Sequence, residues 1–305
     1  MRMDPTSQQS SYASGGQRRG GLRWWVILLF GAYALYYYFS NQTIDPYTGN
    51  KAMIDTSIEE EAMLGLQAYN EVLSQEPVLD SSAEASRQIK AIAARLEARA
   101  NDVENDLAKA NGAEPQHIAD SFQWDVSVIQ SDQANAFCLP GGKMAVYTGL
   151  IPVAQNQDAM AVVMGHEIAH ALLRHGSQRM AQQKLVQLGQ MAAGVAVGDM
   201  DPQQQQMVMS ALGAGTQYGV LLPFSRDHES QADEVGLMLA AAACFNPHEA
   251  IGLWERMSEQ SGGQRPPEFA STHPDPANRI QHLQTLMPKA EQFYAKYCQG
   301  QPPAR

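Results

Sequence analysis

His166-Glu167-Ile168-Ala169-His170 sets two imidazoles four residues apart with a carboxylate between them. Four residues make about one helical turn, so on a helix His166 and His170 project from one face and can share a metal ion. Glu167 falls beside that face, where it can act on a water without ligating the metal. A pair of solvated surface histidines is the plain alternative. It fits poorly, because Val162, Val163, Ile168, Ala169, Leu172 and Leu173 make the segment apolar, and buried His and Glu side chains need partners.

A catalytic zinc takes three protein ligands and keeps a fourth position open. The motif that adds a third His downstream fails, since Leu173 and Gly176 stand where it needs Gly and His. His228-Glu229-Ser230-Gln231-Ala232-Asp233 offers another turn, with Glu229 and Asp233 on one helical face. Glu229 can complete a two-His, one-Glu site, and Asp233 can accept the free ring N–H of a ligating His. His228 is the competing ligand. Cys138, Cys244 and Cys298 are too few and too widely spaced for a cysteine zinc site.

The segments HEIAH, SRDHESQADEVGL, NAFCLPGGKMAVYTGL and STHPDPANRI together resemble metallopeptidase family M48, whose members include HtpX-like, BepA-like and CAAX prenyl proteases. The resemblance spans roughly Ser121 to Leu286. It implies a zinc-dependent endopeptidase of gluzincin type, with one Zn2+ on His166, His170 and Glu229 and with Glu167 as general base. Within STHP, His273 is the candidate oxyanion donor, with Arg279 nearby to orient it or assist. As a neutral imidazole His273 could instead take the fourth metal position and close the site. Peptidases of this kind hold substrates extended against an edge strand, and Lys143, Met144, Ala145, Val146 and Tyr147 are the expected edge.

These residues require a frame. Ser57 to Ser74, Ala83 to Ala110, Asp158 to Arg174, Arg226 to Ala243, Pro247 to Ser258 and Pro276 to Leu286 carry helical periodicity, and His175-Gly176 reads as a helix C-terminal cap. Phe122 to Gln130 alternates as a strand does, and Phe137 with Met144 to Tyr147 flanks a Leu139-Pro140-Gly141-Gly142 turn. The expected fold is mainly α with a small β-sheet, an α+β zincin-like domain over residues 56–298 with a tail at 299–305. Leu185 to Gly198 is uncharged but short and interrupted by Gln187 and Gln190, so a second transmembrane helix is not expected there, and Lys184 to Arg226 reads as a packed helical pair near the site, or as a mobile lid or membrane-leaning flap.

The N-terminal region has another character. Residues 1–21 are rich in Ser, Gln and Gly and read as a flexible basic tail; residues 22–40 read as a membrane anchor, and 41–55 as a linker. Trp24 to Phe39 has no charge, and its Trp pair and Tyr cluster sit where aromatic belts lie at bilayer interfaces. A cleaved signal peptide is the rival reading, opposed by the Tyr-rich stretch. Arginines before the span predict a cytoplasmic N-terminus and a catalytic domain across a bacterial inner membrane, in the periplasm, or across a mitochondrial inner membrane, in the intermembrane space. There Cys244 and Cys298 could pair and leave Cys138 free. The 305 residues carry a net charge of -11, which argues against nucleic acid as a partner. Polypeptide substrates and a lipid bilayer are the expected partners, and an oligomer is compatible with the sequence. The function expected is hydrolysis of misfolded or misassembled envelope proteins. The alternative is a chaperone-like module with a closed zinc site.

Overall fold

The computed structural model describes residues 23–198, 202–203, 206–207, 225–261, 273 and 279–298. The expected tails at 1–21 and 299–305 lie outside these. Helix α1 (Trp24–Ser40) leads into a hairpin of β1 (Gln42–Ile44) and β2 (Lys51–Met53), then α2 (Ile58–Gln75), α3 (Glu84–Glu97) and α4 (Ala100–Asn111). A sheet follows, built of β3 (Asp125–Ile129), β4 (Ala136–Leu139) and β5 (Lys143–Tyr147). The remaining helices are α5 (Ile151–Ala154), α6 (Gln157–Leu172), α7 (His175–Ala196), α8 (Arg226–Ala242), α9 (Glu249–Ser261) and α10 (Arg279–Tyr297). The α+β reading holds.

Helix α6 is the central rod of the domain, buried at every position from Ala159 to Leu172. Asn156 caps it by accepting from the Ala159 N–H at 2.8 Å. Helix α8 packs along it, capped by Ser225, which accepts from the His228 N–H at 3.2 Å. The two helices meet glycine to glycine: a Cβ on Gly165 would lie 2.7 Å from the Gly236 carbonyl oxygen, and a Cβ on Gly236 would lie 2.7 Å from the backbone of His166. Only residues without a Cβ allow this approach, and it brings the HEIAH turn against the helix carrying Glu229.

The sheet order is β3-β5-β4, with β3 parallel and β4 antiparallel to β5. Lys143–Tyr147 is therefore the central strand and not an edge, because β3 and β4 flank it on both sides. The edge on the α6 side is β4. The Tyr147 N–H donates to the Asn135 carbonyl, and alternation along an antiparallel ladder then turns the N–H and C=O of Cys138 outward, away from β5.

Other boundaries differ from expectation. Ala83 to Ala110 is two helices, broken at Ala98-Arg99. His175 opens α7 and does not close α6: Arg174 adopts the left-handed conformation at φ 55° and turns the chain into a new helix. The last helix, described over Arg279–Tyr297, runs through Pro288 and ends well beyond the expected Leu286. Residues 41–55 are not a free linker. Tyr47 in the hairpin turn is 1% exposed and donates to Glu104 at 3.3 Å, and Asn111 donates to the Tyr47 carbonyl at 2.8 Å. The stretch from Leu185 is the second half of α7 and packs on α1. Cys244 and Cys298 form a disulfide that ties the end of α8 to the end of α10, and Cys138 is free and buried.

Helix α1 occupies the predicted anchor but holds 17 residues, about 25 Å against a hydrocarbon core of about 30 Å. Among the described residues no helix is long and apolar enough to cross a membrane.

Candidate metal centre

Four side chains from three places in the chain converge. His166 and His170 lie one turn apart on α6, with Nε2 atoms 3.0 Å from each other. Glu229, in the first turn of α8, sets Oε2 3.4 Å from His166 Nε2 and Oε1 3.5 Å from His170 Nε2. His273 brings Nδ1 to 3.1 Å from Glu229 Oε1 and 3.3 Å from His166 Nε2. One ligand atom from each of the four lies within 4.8 Å of the others, and all four residues are buried. Three imidazoles and a carboxylate are nitrogen and oxygen donors of the kind zinc takes. Their ligand atoms gather at one buried point.

The electrostatics of Glu229 and His170 suit a cation site, whereas for His166 burial, which lowers the imidazole, is outweighed by hydrogen bonds with Asp233 and Glu229 that raise it. Burial pushes Glu229 up, but hydrogen bonds with His166 and His273 outweigh it and hold the carboxyl well below its ordinary range. Burial drives His170 well below the usual imidazole value, aided by the neighbouring histidines. It stays a neutral donor, as a metal ligand must.

Each α6 ligand has its own orienting partner. His166 Nδ1 lies 3.0 Å from Asp233 Oδ1, so Asp233 is placed where it can accept a ring N–H. His170 Nδ1 lies 2.9 Å from His175 Nδ1, and His175 Nε2 lies 3.0 Å from Gln231 Oε1. Accepting at Nδ1, His175 keeps its own proton on Nε2 and gives it to Gln231. The sequence reading missed His175, since a His-Gly pair after a helix looks like a cap. The only available signal was its place five residues beyond His170 at the end of an apolar segment. His228, the competing ligand, stacks on His175 with ring centroids 4.3 Å apart and meets Gln178. It is outside the four-residue cluster.

Glu167 sits beside the cluster with its carboxyl pushed up to about 7, chiefly by burial. Its Oε1 has no hydrogen-bond partner among the described residues and lies 3.5 Å from His273 Nε2, while the Cys138 backbone hydrogen-bonds the carboxyl. Arg279 was expected to orient or assist His273. It donates to Asp233 at 2.5 Å and to Glu229 at 3.3 Å and stands 3.3 Å from His166 Nδ1, with its guanidinium 3.5 Å above the Trp254 ring. It is 2% exposed and clamps the two acidic residues of α8.

Residues 94–287 match the family model of peptidase family M48. The chain belongs to this family. It is 31% identical over 258 residues to the mitochondrial metalloendopeptidase OMA1 of Schizosaccharomyces pombe, covering 84% of this chain and 69% of that protein. It is 28% identical over 262 residues to the human mitochondrial metalloendopeptidase OMA1, covering 83% of this chain and 47% of the relative. With the beta-barrel assembly-enhancing protease of Escherichia coli it shares 26% identity over 240 residues, 77% of this chain and 45% of that one. The chain thus spans about half the length of the last two. Membership of M48 and likeness to named metalloendopeptidases make it a metallopeptidase, the enzyme class its motifs predict.

Proposed function

We propose that this M48 chain is a membrane-anchored zinc endopeptidase that hydrolyses misfolded or misassembled proteins of a cell or mitochondrial envelope. The observation that carries the peptidase reading is the convergence of His166, His170, Glu229 and His273 beside Glu167. Zinc bound by His166, His170 and Glu229 would supply Lewis-acid chemistry, polarising the scissile carbonyl and acidifying water. Glu167 takes a proton from the attacking water and returns it to the leaving amine. A carboxyl raised by burial toward neutrality suits both transfers. Asp233 and His175 fix the tautomers of His166 and His170, and Arg279 holds the carboxylates of Glu229 and Asp233 in place.

The extended substrate pairs with β4, the edge strand beside α6, and not with the central strand. The outward C=O of Cys138 is available to it, and its N–H already serves Glu167. His273 has two roles. In the closed site its ring stands among the ligands as a fourth donor, and the site opens when this residue withdraws; in the open site its N–H faces the developing oxyanion.

The apolar α1 is the anchor, with the arginines before it on the cytoplasmic or matrix side. The catalytic domain then lies in the periplasm or the intermembrane space. The relatives' names, mitochondrial in one case and concerned with β-barrel assembly in the other, support an envelope role. The test is Glu167→Gln in the purified full chain. It should retain one zinc per chain and lose casein cleavage by a factor of about 100 or more, on the order that general catalysis contributes. Undiminished cleavage by the variant would sink the assignment.

A further inference from the structure

Helices α1 and α7 lie side by side and are fastened at both ends. At one end the Arg23 N–H donates to the Ala196 carbonyl at 3.1 Å. At the other, Asp55 accepts from Tyr37 at 2.6 Å and from Lys184 at 2.5 Å. Between these ends α1 turns one stripe, Val26, Phe30, Ala34 and Tyr37, away from solvent and leaves its other apolar faces bare. Leu28 and Leu35 are 62% and 60% exposed.

Helix α7 meets that stripe with Leu185, Leu188, Ala192 and Ala196, and from Leu185 to Val197 it carries no charged side chain. Its outer face over this stretch presents Met191 and Val195, 61% and 45% exposed, with Gln187 as the polar interruption. An open cleft of about 290 Å³ separates the helices, bordered by Phe30, Gly31, Ala34, Leu188, Gly189 and Ala192. Among the described residues no charged side chain lines it.

We propose that the second half of α7, Leu185 to Ala196, is immersed in the bilayer beside α1, with Tyr37, Asp55 and Lys184 at headgroup level. The inference rests on the reading of α1 as the anchor and extends it to a second helix. Twelve residues rise about 18 Å, and the fastening at Arg23 and Ala196 puts them at the depth of α1. Any medium that surrounds α1 therefore surrounds this half of α7. Lipid suits what is bare there, because contiguous apolar surface on this scale is unfavourable in water. An apolar cleft between helices accepts an acyl chain, whereas water needs polar partners. Lys184 marks the boundary, its stem beside apolar surface and its ammonium on Asp55. His175, which orients the ligand His170, lies nine residues before Lys184. The metal centre is then held about 14 Å from headgroup level along α7.

The test uses the full chain in phosphatidylcholine–phosphatidylglycerol vesicles. Spin labels are placed singly at Leu28→Cys, Met191→Cys, Val195→Cys and the solvent-exposed Glu59→Cys, with unsubstituted protein as the labelling blank. Collision with oxygen, which concentrates in lipid, is compared with collision with a water-soluble nickel chelate. The oxygen-to-nickel ratio should be severalfold higher at Leu28, Met191 and Val195 than at Glu59. Met191 and Val195 matching Glu59 while Leu28 stays high would overturn the proposal and leave the anchor intact. Low ratios at all four positions would overturn the anchor as well. Shielding of Met191 and Val195 from both reagents would show protein cover, such as a second copy of this chain, and would also refute immersion.

Discussion

Gly236→Ala strikes the contact on which the metal centre depends. A Cβ at that position would lie 2.7 Å from both N and Cα of His166, whereas carbon contacts are comfortable at about 3.5 Å or more. The obstacle is backbone, so no side chain can swing aside, and α8 must recede from α6 by roughly 0.8 Å. Glu229 and Asp233 ride on the same helix within two turns of Gly236. Metal–ligand distances tolerate only about 0.2 Å, so the recession takes Glu229 out of reach of an ion seated on His166 and His170. Overpacking should cost about 1–3 kcal/mol of stability, against which the helix propensity of Ala over Gly returns at most about 1 kcal/mol. Zinc affinity should fall at least tenfold, about 1.4 kcal/mol. Chelator competition measures the affinity, and thermal unfolding in excess chelator measures the apo stability. Gly176→Ala on α7 is the control, since a Cβ there would meet nothing within 4 Å; it should leave zinc affinity unchanged and raise stability by at most about 1 kcal/mol. Wild-type zinc affinity in Gly236→Ala would show that α8 does not carry the ligand with it and would refute the reasoning.

Three further outcomes are expected. His175→Phe removes the acceptor for the His170 ring N–H and should lower zinc affinity by about 10–100-fold, with His175→Asn recovering part of the loss; unchanged affinity in the Phe variant would remove His175 from the site. His273→Ala should raise basal cleavage if the closed arrangement is the resting state, and a fall of roughly a hundredfold with zinc retained would assign His273 the donor role alone. Asp45, in the β1–β2 hairpin, is pushed up to about 6, chiefly by burial. Because its folded value exceeds the ordinary 3.8, it favours the fold below about pH 4, and that contribution is lost as pH rises through about 6. Asp45→Asn should therefore gain stability on the wild type between about pH 4 and pH 7, by about 3 kcal/mol, in chemical denaturation at each pH; a difference independent of pH would refute the buried charge.

What the sequence disclosed follows from what periodicity encodes. HEIAH and HESQAD each fix a spacing within one helix, so His166, His170, Glu167 and Asp233 could be picked out from local geometry, while the choice of Glu229 over His228 came only with the resemblance to M48. Periodicity also reports which face of an element is apolar, and the α+β layout followed from it. It does not report pairing order. Met144 to Tyr147 is buried throughout, and a run of that kind is compatible with a central or a covered edge strand, so its role as the peptide-binding edge was misplaced. The hairpin at 42–53 was hidden for a related reason: Asp45, Pro46, Gly49 and Asn50 are turn residues, and only tertiary contacts with Glu104 and Asn111 distinguish an ordered turn from a linker.

What escaped were the contacts defined by a partner far away in sequence. Arg279 was named from the sequence, but the groups it touches have no local signature. Its fate is decided by Glu229, Asp233 and Trp254, which α8 and α9 deliver to the same spot. A buried guanidinium without carboxylates would be severely destabilising, and two carboxylates beside a cation site would repel each other without it. The three groups are therefore stable only together, on top of an α6–α8 approach that two glycines permit. His175 obeys the same logic, since its ring is an acceptor for His170 only because Gln231 on α8 takes the proton at the opposite nitrogen. Both contacts thus draw on α8, so under the proposed ligand set the helix that carries Glu229 also positions the rings of His166 and His170, and metal affinity becomes a direct readout of how α8 sits on α6.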